Sequence, residues 1–289
     1  MRPLILATTL AVGFLAPASY RAAIEKYRHD RVTELTAPDG WLAVRGLFWL
    51  HGGDNTAGSD PSNDVRLPGR TAKRIGVFHV RQRDVSFDAD PSAVVTGSGG
   101  HRITASNFTR EESTIETSGV TVSVIRRGDK IGLRMWDPAS PNRTHFPGLK
   151  YFPLESAYHV RARFVAYDKL KPVQVPNVLG QLVTMQSPGY VEFRIKDQTY
   201  TLEPVYETPK HEDLFFIFKD LTSKTETYEA GRFLHTPLPK DGAVDLDFNR
   251  AYNPPCAFTE FATCPLPIKE NQLPIRIPAG ELRYHVSAH

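Results

Sequence analysis

Asp245-Leu-Asp-Phe-Asn-Arg-Ala-Tyr-Asn-Pro-Pro-Cys256-Ala-Phe-Thr-Glu-Phe-Ala-Thr-Cys264-Pro-Leu-Pro267 runs an alternating strand into a proline-clamped loop closed by the chain's two cysteines. In Val244 to Asn249 the apolar positions recur every second residue. Strand geometry then puts Asp245, Asp247 and Asn249 on one face and Val244, Leu246 and Phe248 on the other. Period two, not 3.6, is the signature of a half-buried strand, and the rest of the body repeats it.

Working back from this segment, Leu214-Phe-Phe-Ile-Phe218 is a continuous apolar run suited to a strand buried on both faces. Asp220 to Lys224 reads as its turn and Thr225 to Leu234 as the returning arm. Strands are also expected at Tyr158–Ala166, Val173–Val175, Leu182–Met185, Tyr190–Ile195 and Gln198–Pro204. Closer to the N-terminus they are expected at Val77–His79, Val85–Phe87, Ile115–Glu116, Val120–Arg126 and Lys130–Trp136. The last ones fall at Ile275–Ile277 and Arg283–Val286. Glycines and Asp-Pro or Ser-Pro pairs punctuate them. One segment differs: Ser19–Thr36 places Ala22, Ala23, Tyr27, Val32 and Leu35 at helical spacing, and Pro38-Asp39-Gly40 stops it.

The fold class is therefore mostly β, an antiparallel sandwich-like or barrel-like body in two lobes with one N-terminal α-helix. The expected boundaries are a signal peptide over 1–18, the helix over 19–38, a β-rich lobe over 39–150 and a second over 151–289. The first of these rests on Arg2, the apolar run Leu4 to Leu15 and the small-x-small pattern of Ala16-Pro17-Ala18. It predicts export to a periplasmic or extracellular location. The apolar run is too short to span a bilayer, and no other stretch reaches the roughly 20 apolar residues needed. The 289 residues carry a net charge of +3 with the signs interspersed, which argues against a nucleic-acid partner.

In an oxidising compartment Cys256 and Cys264 read first as a disulfide, which would contribute on the order of 2–3 kcal/mol by closing a short loop. Free structural thiols and a reactive cysteine are the alternatives. No metal site is expected. Asp245, Asp247 and Asn249 match the first ligands of a calcium loop, but Arg250 stands where it needs glycine and Cys256 where it needs glutamate. No phosphate-binding glycine loop, dinucleotide fingerprint or nucleophile elbow occurs, so no cofactor is expected and the usual hydrolase signatures are missing.

The candidate site is ligand-binding: Asp247, Asn249, Arg250, Tyr252 and Asn253, joined by Arg134, Arg161, Arg163 and Arg232 from neighbouring strands. Arginine suits capture of carboxylate or phosphate, so the expected partner is a small polar or anionic ligand or an envelope component. A hydrolase using Asp247 as acid or base, with arginine stabilising an anion, is the enzyme alternative. A purely structural envelope protein is the third. The bland readings are that Asp245 is simply solvent-facing and that the arginines form internal ion pairs. His145, His159, His211 and His235 stand singly and read as structural. The sequence leaves the oligomeric state open.

Four segments, Gly40–Leu50, Gly58–Asp64, Tyr228–Leu234 and 245–267, resemble a bacterial and archaeal family, domain-of-unknown-function family 1684. The resemblance implies no activity and no catalytic residues. Separately, Ala57–Pro68 is similar to the opening turn of forkhead-associated domains. Ser59 stands where that family has its phosphate-reading arginine, so the resemblance implies a sandwich turn without phosphopeptide chemistry.

Overall fold

The structure is a computed structural model that describes residues 17–109 and 113–284. The proposed signal peptide, apart from its last two residues, and the end of the last expected strand lie outside the described residues.

Helix α1 (Ala18–Thr36) leads into β1 (Val44–Trp49). Then come β2 (Gly53–Gly58), β3 (Val65–Arg66), β4 (Gly76–Arg81), β5 (Asp84–Ala89), β6 (Thr96–Gly97) and β7 (Ala105–Asn107). After them lie β8 (Thr114–Thr117), β9 (Val120–Arg127) and β10 (Lys130–Trp136). These strands make two five-stranded sheets, ordered β1-β10-β9-β8-β6 and β3-β2-β4-β5-β7. Period-two patterning explains how they pack. Val120, Val122 and Val124 of β9 and Phe78 and Val80 of β4 turn inward to one shared core. Phe78 and Phe87 face each other across the β4–β5 ladder with ring centres 4.6 Å apart. Each such buried phenyl contributes roughly 2–3 kcal/mol of transfer free energy. Ser59, in the turn after β2, donates its hydroxyl to the Thr71 carbonyl at 2.9 Å and so fixes the loop internally.

A single helical turn, α2 (Pro141–Thr144), follows, where the sequence suggested no helix. The C-terminal half is built on β11 (His159–Pro176), β12 (Leu182–Ile195), β13 (Gln198–Leu202), β14 (Asp213–Phe218), β15 (Arg232–Pro237) and β16 (Ala243–Asp247). The pairs of short strands expected at 158–175 and at 182–195 each merge into one long strand, bent by a register slip between Ala166 and Lys171. The sheet order is β13-β12-β11-β16, and β14 with β15 forms a separate hairpin. Bridges at Val205–Phe215 and Phe233–Tyr252 link that hairpin to its neighbours without closing a barrel.

Strand β14 shows why a continuous apolar run needs two cores. Leu214, Phe216 and Phe218 enter one cluster with Phe193, Leu246 and Phe248. Phe215 and Ile217 enter another with Val175, Phe233 and Cys264. The returning arm begins only at Arg232, because 221–224 form a short 3-10 helix and Gly231 makes the turn at φ +114°. A β-carbon there would sit 2.6 Å from the Phe218 carbonyl oxygen. The described residues after Asp247 contain short 3-10 turns and isolated bridges rather than the strands expected at 275–277 and from 283.

Helix α1 docks differently from its apolar pattern. Its buried residues are Ile24, Arg31 and Leu35, while Ala22 and Ala23 face solvent. Tyrosines and arginines supply most of the seat. Tyr27 donates to the Arg250 carbonyl at 2.8 Å, Arg28 to the Phe152 carbonyl at 3.3 Å, and Arg31 to the Asn253 carbonyl at 3.0 Å. No helix among the described residues is long and apolar enough to cross a membrane.

Candidate functional site

The alternation of β16 ends at Asp247. Its carboxylate caps a 3-10 turn (Phe248–Arg250), accepting the Asn249 backbone N–H at 3.0 Å. That turn swings Asn249 off the strand face and into the interior. Only Asp245 keeps the solvent face, where it meets His159 at 2.5 Å.

The buried polar residues here fasten elements together. Tyr20 of α1 donates to Asp247 at 2.9 Å, and the Asn249 amide donates to the Tyr20 hydroxyl oxygen at 3.1 Å and the Glu155 carbonyl at 2.9 Å. Burial, reinforced by the Asp247 charge, keeps the Tyr20 hydroxyl protonated far above its ordinary range. Asn253 donates its backbone N–H to Glu281 at 2.8 Å and its amide to the Leu282 carbonyl at 2.8 Å. Glu281, wholly buried, also accepts from Arg31 at 3.3 Å. Burial pushes the Glu281 carboxyl up, and Arg31 partly opposes that. Asp247, Asn249 and Asn253 therefore hold α1 and the C-terminal segment on the body, with their polar groups, apart from the Asn253 Oδ1, spent on protein partners.

The four arginines expected to converge on Asp247 do not. Arg232 is wholly buried and pairs with Asp220 at 3.1 Å, and it donates to the carbonyls of Ile277 and Ala279. Asp220 in turn accepts the Thr222 hydroxyl and the Ile277 N–H. Arg163 is exposed and donates to Glu192 at 3.0 Å. Arg161 is exposed on the same strand face, opposite Asp245. Arg134 is buried, with its guanidinium 4.8 Å from the centre of the Trp41 ring. Strand spacing placed Arg161 and Arg163 on one face correctly, but that face is the outer one.

Arg250 and Tyr252 open instead into a cleft of about 730 Å³ between α1 and the β14–β15 hairpin. Tyr27, Asp30, Arg31 and Glu34 of α1 form one wall, at successive helical turns. Phe233 and His235 of β15, with Glu207, form the other, and Trp41 and Pro255 complete it. The His235 ring stacks on Phe215 at 4.6 Å and lies parallel to Tyr252 at 6.1 Å. Its Nδ1 is 2.7 Å from Asp213 and its Nε2 3.7 Å from Glu207. About half of the Glu207 side chain is open to solvent. The cleft walls still push its carboxyl above the usual range, opposed by His235, an effect that solvent screening keeps small. Burial holds the Tyr252 hydroxyl protonated. Arg250 reaches Asp247 only at 3.6 Å, and 43% of its side chain is exposed.

Of the residues read from the sequence as ligand-binding, the cleft thus takes Arg250 and Tyr252 into its wall, with Arg134 behind Trp41. It adds Tyr27, Arg31, Trp41, Glu207 and His235. These come from segments up to about two hundred residues apart, and His235 read as structural because nothing near it in sequence suggested a partner. Only the hairpin register, which sets Asp213 opposite Pro237 and Phe215 opposite His235, brings Asp213 to the His235 imidazole.

The expected disulfide is not formed. Cys256 and Cys264 are both free, and the Cys256 backbone N–H points at the Cys264 sulfur at 3.1 Å. Cys256 beside it and burial hold Cys264 as a thiol. The loop gets its shape from Pro254, the 3-10 turn Pro255–Ala257 and the Tyr228 hydroxyl donated to the Cys256 carbonyl at 3.1 Å. Among the described residues no three histidine, cysteine or acidic side chains gather as a metal cage.

No curated protein matches the chain. Among solved structures it is similar to the solution NMR structure of the uncharacterized protein from gene locus rrnAC0354 of Haloarcula marismortui. That likeness has 25% identity and a TM-score of 0.40, and covers 50% of this chain and 82% of the other. Residues 144–282 match the model of a family described as "Protein of unknown function (DUF1684)". The match includes the Tyr228–Leu234 and 245–267 motifs and leaves Gly40–Leu50 and Gly58–Asp64 outside it. The matched residues 144–282 carry strands β11 to β16 and half of the cleft, and over them the chain is similar to the DUF1684 family.

Proposed function

We propose that the protein binds a small polar ligand in the cleft between α1 and the β14–β15 hairpin. The observation that carries this reading is the cleft's composition: aromatic walls with a few convergent polar groups in a volume suited to a small molecule. Tyr252 and Trp41 supply flat apolar surface. Arg250 supplies donors for an acceptor on the ligand, since its pair with Asp247 is too long for a hydrogen bond. The paired prolines before Cys256 and the packed helix limit the freedom lost on binding.

Asp247 serves poorly as the acid or base of a hydrolase, because Tyr20 and Asn249 occupy its carboxylate and α1 covers it. Binding is therefore preferred over catalysis at that residue. Export belongs to the same proposal and rests on Arg2, the apolar run to Leu15 and Ala16-Pro17-Ala18; an N-terminus near Ser19 on the protein recovered from its host tests it.

The direct test of the binding site is native mass spectrometry of the protein purified from its own host. The expected result is a retained small mass that Tyr252→Ala loses while its melting temperature stays within a few degrees. Bare polypeptide in both proteins contradicts the proposal.

A further inference from the structure

We propose that the cleft is a subsite for a small organic ammonium group, seated by the Glu207 carboxylate and the aromatic walls. This rests on the reading of the cleft as a ligand site and specifies what the ligand must carry.

The first ground is charge. The cleft wall and the groups paired directly with it contain six carboxylates, three on the wall (Asp30, Glu34 and Glu207) and three behind it (Asp213, Asp247 and Glu281). Facing them are four permanent cations, Lys26, Arg31, Arg134 and Arg250. Negative charge is in excess even though the whole chain is positive. A bound cation offsets that excess; a bound anion adds to it.

The second ground is how the charges are paired. Arg31 is neutralised from behind by buried Glu281 at 3.3 Å and is also 3.6 Å from Glu34. Arg250 faces buried Asp247, and Lys26 takes Asp30 at 2.5 Å. Glu207 has only the His235 ring, 3.7 Å away, as its ion-pair partner among the described residues. The Nδ1 side of that ring already belongs to Asp213 at 2.7 Å. Glu207 is thus the wall carboxylate whose charge is least compensated.

The third ground is the rings. Tyr27, Trp41 and Tyr252 already hold guanidinium groups over one face, at 5.5, 4.8 and 4.5 Å from their centres. Their electron-rich faces favour cations, and Phe233 adds a fourth wall of the same kind. An ammonium group held between ring faces and a half-desolvated carboxylate is the arrangement that recognises amines and quaternary ammonium compounds. With Arg250 free to meet an acceptor, the ligand class is a small organic ammonium compound that also bears a polar acceptor.

The experiment is ligand-observed NMR with tetramethylammonium chloride as probe, against sodium acetate at equal ionic strength, on the wild type, Glu207→Gln and Glu207→Asp. The expected result is saturable binding of tetramethylammonium that Glu207→Gln weakens about tenfold and Glu207→Asp largely keeps. Because Glu207 lies half in solvent, both variants should fold as the wild type does. The ammonium subsite is overturned if tetramethylammonium shows no saturable binding, or binds Glu207→Gln as tightly as the wild type. Saturable acetate binding without ammonium binding overturns this inference and leaves the cleft as a ligand site. A host-derived mass lacking any cationic group does the same.

Discussion

Two aspartate–arginine pairs in the C-terminal half use the same chemistry to opposite ends. Asp220 and Arg232 are both wholly buried, 3.1 Å apart, and backed by the Thr222 hydroxyl and the Ile277 and Ala279 carbonyls. Asp247 is nearly as buried, yet Arg250 stays 3.6 Å away and opens into the cleft with 43% of its side chain exposed. An ion pair taken out of water and hydrogen-bonded to its surroundings fixes the fold around it, even though the Arg232 Nε has no partner, and removing one side strands the other. A charge left half in water contributes little to stability and stays available to a ligand. Burial of the arginine, not its presence beside an aspartate, separates the two roles.

The contrast is sharpest where the loss is largest. Arg232→Ala should destabilise the protein by about 3–5 kcal/mol, because Asp220 remains as a buried, uncompensated carboxylate. Urea unfolding followed by tryptophan fluorescence measures this. A loss below about 1 kcal/mol would break the comparison.

The Arg31–Glu281 pair lies between the extremes, with its carboxylate sealed and its arginine on the cleft wall. Burial raises the Glu281 carboxyl in the folded state, so the folded protein holds that proton more tightly than the unfolded chain. This contribution to stability is fully present below the ordinary glutamate range. It is lost as pH rises through the higher folded-state value. Glu281→Gln should remove that part of the pH dependence and cost about 2 kcal/mol near neutral pH through the weakened Arg31 contact. Urea midpoints measured at intervals across the acid-to-neutral range test it. A variant whose midpoint falls with pH as the wild type's does would show that Glu281 is not the group responsible.

The same contrast explains what was legible in the sequence. Leu214–Phe218 could be read as a buried strand because every residue in it is apolar, and both cores it joins are visible in that run. Of the four segments that carried the DUF1684 resemblance, Tyr228–Leu234 and 245–267 lie within the matched region and Gly40–Leu50 and Gly58–Asp64 lie outside it. Alternation predicted a strand running through Asn249, whereas it ends at Asp247, whose carboxylate caps a local turn that carries Asn249 inward to the Tyr20 hydroxyl and the Glu155 carbonyl. The period of α1 could be read; its docking face could not, because Tyr20, Tyr27 and Arg31 bury themselves through hydrogen bonds that an apolar count ignores. The cleft was least visible. Arg250 and Tyr252 stand in the marked motif, whereas Trp41, Glu207 and His235 meet them only after folding. Which of Arg232 and Arg250 would be sealed depends on where Gly231 turns the chain and where Ile277 and Ala279 return, neither of which a local pattern records.

The smallest stability effect carries the largest functional weight. The central claim is tested most directly by measuring, on Arg250→Ala and wild type together, the urea midpoint and the fraction of protein that retains the host-derived small mass. The account predicts a stability change within about 0.5 kcal/mol and a retained fraction reduced severalfold. A variant that loses stability as a buried pair would, or that keeps the ligand as fully as the wild type, would contradict it.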